Sequence, residues 1–479
     1  MKTLIKNAEL VTMDKDVDLL KGHVLITDGK IARVIPAGDE ISGDDLDEVV
    51  NCEGKLVMPG MTNAHYHSYS NLLKGTENKL PLELWSLYTV AYGHSLTDED
   101  IYLAVLLGAS EMIRGGVTGC VDHFPHLPRM ESALHAYETS GMQVSFAPMM
   151  QDVTDHQFLS LSFPPSIQSK LNQQQPMSVE AMKDLYDSLI KSWHRKHDRI
   201  HIMLGPNAPQ RCSDEMLTLC RELRDQYELK VHTHLLETKM QKQIGDQTYP
   251  NGIIGFMEDK GLLTDRLSVA HAVWVTEEER ELLKARQVQV IHNPVSNMML
   301  GSGRAPLSNY VKSGMTIGLG TDSSNCGTQH NLFEAMRLAA MLPRLNQPDY
   351  ETWPTPKETL NMATVGGASI MESGSLRGKI KEGYDADLVF LSNNTIPWAP
   401  TQDVLSQLVF QETGHSIESV MIKGDWILRN RQIISFDEQE VIDRIKERTE
   451  QRMSNSKDSL QFADLLKPYV KQFYQDFYQ

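Results

Sequence analysis

The chain has 479 residues, and its 63 aspartate and glutamate residues outnumber its 46 lysine and arginine residues, so the formal net charge is −17. A strongly acidic protein lacks the basic surface that phosphate groups require, which argues against nucleic acid as a partner and gives no reason to expect an anionic membrane surface. Hydrophobic residues make up 41% of the sequence and aromatic residues 7%, as in an ordinary globular protein.

The cysteines are scattered, odd in number and form no CxxC pair; they are Cys52, Cys120, Cys212, Cys220 and Cys326. This usage is typical of buried thiols in a reduced, cytoplasmic protein. The first residues lack the apolar stretch of a signal peptide, and no apolar run is long enough to cross a bilayer. We therefore expect a cytoplasmic location and no membrane partner.

Residues 1–57 predict short β-strands, because apolar residues cluster around Leu4, Val24 and Ile31. Asp28-Gly29 lies between the second and third clusters and predicts a tight hairpin. From residue 58 onward, apolar strand candidates alternate with helical patterns. These candidates are 61–67, 116–123, 143–150, 199–206, 230–237, 267–274, 288–296 and 316–322.

The helix between the first two candidates has clear ends, since Thr97 and Asp100 form a capping box and Gly115 follows the last turn. Thr276 with Glu279, and Ser213, predict two further helix starts.

Alternation of strands and helices over residues 58–375 favours an α/β fold with a parallel (β/α)8 TIM barrel, and an open doubly wound sheet is the alternative. β patterns return at 387–391 and 420–428, so we expect residues 376–435 to pair with residues 1–57 in one small domain. Residues 436–479 are polar with helical spacing and predict a C-terminal helical extension.

Residues 152–177 interrupt this alternation, because they are too long for an ordinary strand–helix connection. They include Phe163-Pro164-Pro165-Ser166 and Gln173-Gln174-Gln175-Pro176. A surface excursion and a lid over an active site are both open, since the segment follows the carboxyl end of a predicted strand.

Possible metal ligands begin after Pro59-Gly60, where a strand carries His65 and His67 two residues apart and therefore on one face. Neutral imidazoles suit zinc and neighbouring transition metals. The alternative is two polar residues on the solvent face of an edge strand.

Similar polar residues end three later strands. His234 and Glu237 follow Val231, His271 lies in an apolar strand, and Asp322 ends a glycine-rich one. For His232 or His234 taken alone, a buried ring held by a neighbour is the favoured interpretation. A buried aspartate, however, is rarely ionised unless it is paired or binds a metal. Gly318 and Gly320 also resemble a phosphate loop, but no GxGxxG or Walker pattern follows them.

In a barrel these strand ends converge on one opening. His65, His67, His234 and Asp322 would then supply three nitrogens and one oxygen, a set that suits Zn²⁺, Fe²⁺ or Co²⁺ with one position open for water.

Taken together, the motifs resemble the amidohydrolase superfamily, most closely the branch of triazine hydrolases and S-adenosylhomocysteine deaminases, with methylthioadenosine, guanine and isocytosine deaminases. The motifs are Pro59-Gly60 before His65-x-His67, His234-x-x-Glu237, Ala270-His271-Ala272, His292-Asn293-Pro294, Gly320-Thr321-Asp322 and residues 374–388.

The resemblance implies a distorted (β/α)8 TIM barrel, with a small β-sandwich domain built from both chain ends, and a homodimer or higher homo-oligomer. It also implies one divalent metal ion, Zn²⁺ or else Fe²⁺, because the fourth strand at 199–206 lacks the lysine that binuclear relatives carboxylate.

The implied activity is that of a metal-dependent hydrolytic deaminase that attacks an amino-substituted nitrogen heterocycle with hydroxide from a metal-bound water and releases ammonia. Asp322 and His271 would take and orient the water proton, and Glu237 would protonate a ring nitrogen. Displacement of chloride, an alkylamine or an amidine nitrogen is the alternative within this fold. A non-catalytic scaffold is the alternative from another class.

Four further residues are candidates for substrate binding, namely Trp85, His94, Asn207 and His292. Adenosyl deaminases of this branch carry an acidic residue nine positions after the tryptophan and a histidine after the fourth strand, where this chain has His94 and Asn207. These departures put an adenosine-type substrate in doubt. We expect His123 and His126 to be solvated at the rim and Cys326 to form a wall of the pocket.

Overall fold

The computed structural model describes residues 1–15, 17–39, 45–173, 176–373 and 376–478. Its strands, β1 to β18 in chain order, are Lys2–Val11, Leu19–Thr27, Lys30–Pro36, Glu48–Asn51, Lys55–Pro59, Met61–Tyr66, Val117–Phe124, Gln143–Met150, Ile200–Ile202, Gly205–Pro206, Val231–Leu235, Leu267–His271, Gln289–His292, Ile317–Leu319, Leu388–Ser392, Ile417–Ile422, Asp425–Arg429 and Gln432–Ile433.

The α-helices, α1 to α18, are Leu82–His94, Asp98–Arg114, Met130–Ser140, Asp155–Phe158, Pro165–Leu171, Val179–Trp193, Asp214–Tyr227, Lys239–Thr248, Gly252–Asp259, Glu277–Ala285, Pro294–Met299, Leu307–Lys312, Leu332–Met341, Pro356–Asn361, Gly367–Ile370, Val404–Phe410, Glu438–Glu447 and Thr449–Tyr478. Short 3₁₀ helices lie at Ser68–Leu73, Leu127–Arg129, Pro209–Arg211, Leu342–Leu345, Tyr350–Thr352 and Ile396–Trp398, and a π-helical turn lies at Met362–Gly366.

Two parallel sheets carry the histidine-rich strands. In the first, β7 lies between β6 and β8, and both β9 and β10 pair with β8. The second has the order β11–β12–β13–β14. Parallel bridges between Leu204 and Val231 and between Tyr66 and Asp322 join the two sheets at both of their edges. The carboxyl ends of all these strands therefore face the same side of the molecule.

A buried apolar cluster combines residues of both parallel sheets with residues at and just after the end of α15. Its members are Ala64, Val121, Ala147, Met203, Ile291, Ile370 and Met371. Each of the eight predicted strand segments overlaps an observed strand, and the fourth segment contains both β9 and β10.

The third sheet has nine strands and joins the two ends of the chain, because β15 pairs antiparallel with β5. Asp28 and Gly29 connect β2 to β3 with φ values of 49° and 78°, and Lys423 and Gly424 connect β16 to β17 with 49° and 80°. Two successive left-handed residues are what the commonest two-residue hairpin turn requires. The Asp28-Gly29 hairpin prediction is confirmed.

Helix ends follow the capping signals of the sequence. Thr97 and Asp100 bond reciprocally at the start of α2, and Gly115 follows its last turn. Thr276 with Glu279 forms the same box at α10, and the Ser213 hydroxyl accepts from a backbone N–H at α7. These local interactions position the helices that separate the parallel strands.

Two peripheral segments lie against the α/β core. In the C-terminal α18, Asp464 accepts a hydrogen bond from the Tyr88 hydroxyl of α1 at 2.7 Å, and Ala463 packs in one cluster with Tyr88. The segment 152–177 contains α4 and α5, and its Phe163 ring lies 5.4 Å from that of Tyr469 in α18. The predicted residues Gln174 and Gln175, like Gly374 and Ser375 of the family motif, lie outside the described residues.

Among the described helices, none has an apolar stretch of the length that a bilayer crossing requires.

Asp387, just before β15, forms a buried junction between the mixed sheet and the parallel sheets. It accepts a hydrogen bond from Nε of Arg377 at 2.8 Å and from the Gln143 amide of β8 at 2.9 Å. The Arg377 and Asp387 side chains are only 1% and 2% exposed. Removing one charge of such a pair leaves the other uncompensated in a low-dielectric interior.

We therefore expect Asp387→Asn to lower the free energy of unfolding by about 3–5 kcal/mol, as measured by urea titration. The control is Asp18→Asn, since Asp18 pairs with Lys357 at a site where their side chains are 33% and 48% exposed, and exposed pairs contribute about 1 kcal/mol or less. Equal losses in both variants would contradict the assignment.

Candidate active site

Four predicted metal ligands converge at the carboxyl ends of the parallel strands. His65 lies in β6 and His67 just after it, His234 lies in β11, and Asp322 follows β14. Ligand atoms of the three histidines lie within 4.8 Å of one another. Oδ1 of Asp322 lies 3.3 Å from Nε2 of His67 and 3.7 Å from Nε2 of His65.

Hydrogen bonds show which nitrogens of two of these rings carry protons. Nδ1 of His67 donates to the carbonyl of His123 at 2.6 Å, and Nδ1 of His234 donates to the carbonyl of Asn207 at 2.6 Å. A carbonyl oxygen can only accept, so Nε2 of each neutral ring has a lone pair. These two Nε2 atoms lie 3.3 Å apart.

Two facing lone pairs repel each other unless a proton or a metal cation lies between them. Nε2 of His65 is also buried and has no hydrogen-bond partner among the described residues. With the carboxylate of Asp322, the donors are three imidazole nitrogens and one oxygen, which is a zinc-type ligand set. The residues present therefore fit a divalent metal ion.

Burial favours the neutral form of His65 and His234, which is the form that binds metal, whereas the Asp322 carboxylate outweighs burial at His67 and raises the His67 pKa. Burial lowers the pKa of His65 to about 3 and that of His234 well below the ordinary value. Burial opposes ionisation of Asp322, but the neighbouring imidazoles of His65, His67 and His271 outweigh it and hold the Asp322 pKa well below the usual carboxyl range.

His271, Glu237 and Asp322 form a row beside these ligands. Nε2 of His271 lies 3.7 Å from Oε2 of Glu237 and 3.7 Å from Oδ2 of Asp322. Nδ1 of His271 bonds to Oδ1 of Asn297 at 2.9 Å, which directs the free Nε2 toward both acids. Glu237 accepts from the Ser302 hydroxyl at 3.0 Å. Burial raises the pKa of Glu237, although His271 opposes the shift.

The backbone conformation explains how Glu237 reaches the site. In a regular strand, Glu237 and His234 would point to opposite faces. Leu236, between His234 and Glu237, has a φ of 46°, and His271 and Asp322 have φ values of 73° and 61°. Left-handed conformations are unfavourable for such residues and cluster at functional sites. The turn at Leu236 places Glu237 on the same side as His234.

Among the predicted substrate residues, Trp85 is buried, donates its indole N–H to the Asn325 carbonyl at 3.3 Å and packs against Leu300 and Cys326. Cys326 thus lies in a buried apolar cluster, and its place in a wall of the pocket stays a prediction.

Asn207 bonds through its side chain to Gln151 and Arg211 and through its carbonyl to His234. His292 is buried at the end of β13, and its Nδ1 has no partner among the described residues. His94 ends α1 and is exposed. No contact among the described residues brings His94 to the imidazole cluster, so its role stays a prediction.

The expected rim position is wrong for His123. Its ring is fully buried, its Nε2 donates to the Gly205 carbonyl at 3.2 Å, and the ring packs against those of His67 and His234 at centroid distances of 5.8 and 4.9 Å. His126 is half-buried, with its ring 4.6 Å from that of Tyr69.

Sequence reasoning missed two charged residues near the site. Glu83 accepts from the hydroxyl of Thr238, the residue after Glu237, at 2.9 Å, and burial raises the Glu83 pKa to about 7. Arg211 forms a two-pronged pair with Asp155 of α4, at 2.6 and 2.8 Å. A carboxylate between two leucines, in Leu82-Glu83-Leu84, was a detectable signal of the kind that identified Asp322.

Comparison with known proteins places this geometry in a family context. The model of the amidohydrolase family matches residues 56–427. The 5-methylthioadenosine/S-adenosylhomocysteine deaminase of Halothermothrix orenii is 30% identical over 454 residues, which cover 93% of this chain and 99% of the relative.

Two solved structures resemble the fold. A zinc-bound adenosine deaminase from Xanthomonas campestris superposes with a TM-score of 0.84 at 26% identity, covering 94% of this chain and 98% of that one. The zinc complex of atrazine chlorohydrolase from Arthrobacter aurescens superposes with a TM-score of 0.84 at 21% identity, covering 93% and 99%.

We expect the purified protein to retain zinc through dialysis against metal-free buffer and His234→Ala to lose it, because the variant removes one of three nitrogen donors. Elemental analysis per mole of chain is the measurement. His135→Ala is the control, since the His135 side chain is 56% exposed on α3. Retention of the wild-type zinc content by His234→Ala would exclude His234 as a ligand.

Proposed function

The chain belongs to the amidohydrolase family, and from that membership we propose that His65, His67, His234 and Asp322 bind one zinc ion in a hydrolytic deaminase of amino-substituted nitrogen heterocycles. The enzyme is a hydrolase of carbon–nitrogen bonds other than peptide bonds, a metal-dependent deaminase like its relatives. The observation that carries the proposed site is the pair of lone-pair nitrogens of His67 and His234, 3.3 Å apart, beside buried Asp322.

When bound, a divalent cation in this position lowers the pKa of a coordinated water so that hydroxide is available near neutral pH. Fe²⁺ is the other metal that this ligand set would accept.

The residues beside the metal ligands divide the proton transfers between them. Nε2 of His271 and Oδ2 of Asp322, 3.7 Å apart, accept and orient the proton of the attacking water. Glu237, whose pKa burial raises, donates a proton to a ring nitrogen next to the attacked carbon and makes that carbon more electrophilic. The amino group then leaves as ammonia after it has received a proton.

An apolar cluster near the site and the names of related deaminases support the proposed substrate class. Trp85, Leu300 and Cys326 form an apolar cluster that suits the face of a flat heterocycle. The curated relative is named for adenosyl substrates, so aminopurines and their nucleosides are the first candidates. Trp85 and His292 are the residues we assign to substrate contact, together with His94 and the Asn207 side chain.

We propose the following domain organisation. Residues 58–375 form a distorted (β/α)8 barrel, which the bridges at Leu204–Val231 and Tyr66–Asp322 support. Residues 1–57 and 376–435 form a β-sandwich, which the β5–β15 pairing supports, and residues 436–479 form a helical extension. Five free, buried cysteines support a cytoplasmic location, and the family resemblance supports a homodimer or higher homo-oligomer.

The proposed activity predicts ammonia release from at least one member of a panel of aminopurines, aminopurine nucleosides, pterins, pyrimidines and aminotriazines. A coupled ammonia assay with the zinc-loaded enzyme makes the measurement. The panel also includes a chlorotriazine and an alkylaminotriazine. Release of chloride or an alkylamine from these compounds, with no ammonia from any amino compound, would contradict deamination and favour the alternative displacement reaction.

We expect Glu237→Gln to lower kcat by about 10²–10⁴-fold, because an amide keeps the shape of the side chain but has no proton to deliver. Zinc content should stay at the wild-type level, since Glu237 is not among the proposed ligands. Steady-state kinetics and elemental analysis are measured together, with Glu180→Gln on the exposed start of α6 as the control. Full turnover by Glu237→Gln would remove this proton donor from the mechanism.

A further inference from the structure

The third histidine of the proposed metal set is oriented differently from the other two. Nδ1 of His67 and Nδ1 of His234 each face a backbone carbonyl, whereas Nδ1 of His65 faces Nε2 of His232 at 2.8 Å. An imidazole nitrogen can donate or accept, so this contact alone does not decide which nitrogen of His65 carries the proton.

The next contact along this chain of hydrogen bonds decides it. Nδ1 of His232 lies 2.9 Å from Oγ of Ser268 on the neighbouring strand β12. The Ser268 hydroxyl donates its single proton to the carbonyl of Val231 at 3.2 Å. Oγ must therefore accept from His232, which places the proton of that ring on Nδ1 and leaves a lone pair on its Nε2.

The protonation of His232 then fixes which nitrogen of His65, a proposed metal ligand, carries the proton. Because Nε2 of His232 accepts, Nδ1 of His65 donates to it, and Nε2 of His65 has the lone pair. That Nε2 atom is buried, lies 3.7 Å from Oδ1 of Asp322 and has no hydrogen-bond partner among the described residues. The reverse order would place a proton on Nε2 of His65, directed at the space where a cation would lie.

Burial keeps solvent away from the hydrogen bonds that connect Ser268, His232 and His65. The His65 and His232 rings are fully buried and Ser268 is 1% exposed. The hydrogen bond between Nδ1 of His65 and Nε2 of His232 holds one proton, so the two directions of donation exclude each other. β11 and β12 are paired in register, with His232 opposite Ser268. This pairing holds in place the chain of hydrogen bonds from Ser268 through His232 to His65, which we call the relay.

We propose that Ser268 and His232 are positioning residues that hold His65 in the tautomer with a free Nε2 and so set the affinity of the site for its metal. This inference rests on the proposed metal set. Partners that orient a ligating histidine typically change metal affinity by about 10–100-fold when they are removed.

The test compares the zinc dissociation constants of the full-length wild type, Ser268→Ala and Ser268→Thr by competition with a chromophoric chelator. Ser268→Ala removes the acceptor that keeps the proton on Nδ1 of His232, so we expect zinc binding to weaken by about 10–100-fold. Ser268→Thr keeps the hydroxyl, and we expect an affinity close to that of the wild type.

A matched control separates this effect from the loss of a buried hydrogen bond in general. Ser145 is fully buried on β8, and its hydroxyl accepts from the backbone N–H of Glu372 at 2.9 Å, away from the imidazoles. Ser145→Ala should keep the wild-type zinc affinity. Urea titration of each variant in excess chelator checks that Ser268→Ala remains folded without metal.

Three results would overturn the relay, namely wild-type affinity in Ser268→Ala, equal weakening in Ser145→Ala, or failure of Ser268→Thr to restore binding. If Ser268→Ala does not fold, His232→Gln replaces it in the comparison with His232→Leu, because an amide oxygen still accepts from Nδ1 of His65 and a leucine does not. Equal affinities in that pair would also overturn the relay. A wild-type chain that binds no zinc would instead overturn the proposed function.

Discussion

The approach of two unprotonated imidazole nitrogens is the constraint on which the rest of the site depends. The carbonyls of His123 and Asn207 hold the protons of His67 and His234 on Nδ1, so both Nε2 lone pairs face one space, 3.3 Å apart. Without positive charge this arrangement is repulsive. The buried Asp322 carboxylate adds negative charge to the same space, and a divalent cation neutralises both effects.

This arrangement requires a strained backbone at the ends of the strands. Leu236, His271 and Asp322 have left-handed conformations that cost free energy in each case. Gly320 allows close packing, because a Cβ at this position would lie 2.2 Å from the Asn293 side chain and 2.8 Å from Cβ of His65. Gly318 in β14 and Gly320 just after it thus allow close strand approach, which explains their resemblance to a phosphate loop without phosphate chemistry.

Chain pairing brings the site together from segments far apart in sequence. The bridge between Tyr66 and Asp322 joins β6 to the end of β14, so the first and last proposed ligands become neighbours. The peripheral pieces add contacts at the same side, where Arg211 binds both Asp155 of α4 and Asn207. Because the Asn207 carbonyl orients His234, the conformation of this outer segment is connected to a proposed metal ligand by three consecutive contacts.

The sequence by itself determined the residue types of the proposed ligands and their approximate positions, because strand alternation is a local property and places His65 and His67 on one face. It also determined hairpins and helix starts, which depend on Asp28-Gly29 and Thr97–Asp100. Only the tertiary structure decided that His123 is buried, that a turn at Leu236 redirects Glu237, and that His232 rather than a carbonyl faces His65. These features depend on contacts between distant strands, and no local pattern of residue types encodes which atom of a buried ring meets which partner.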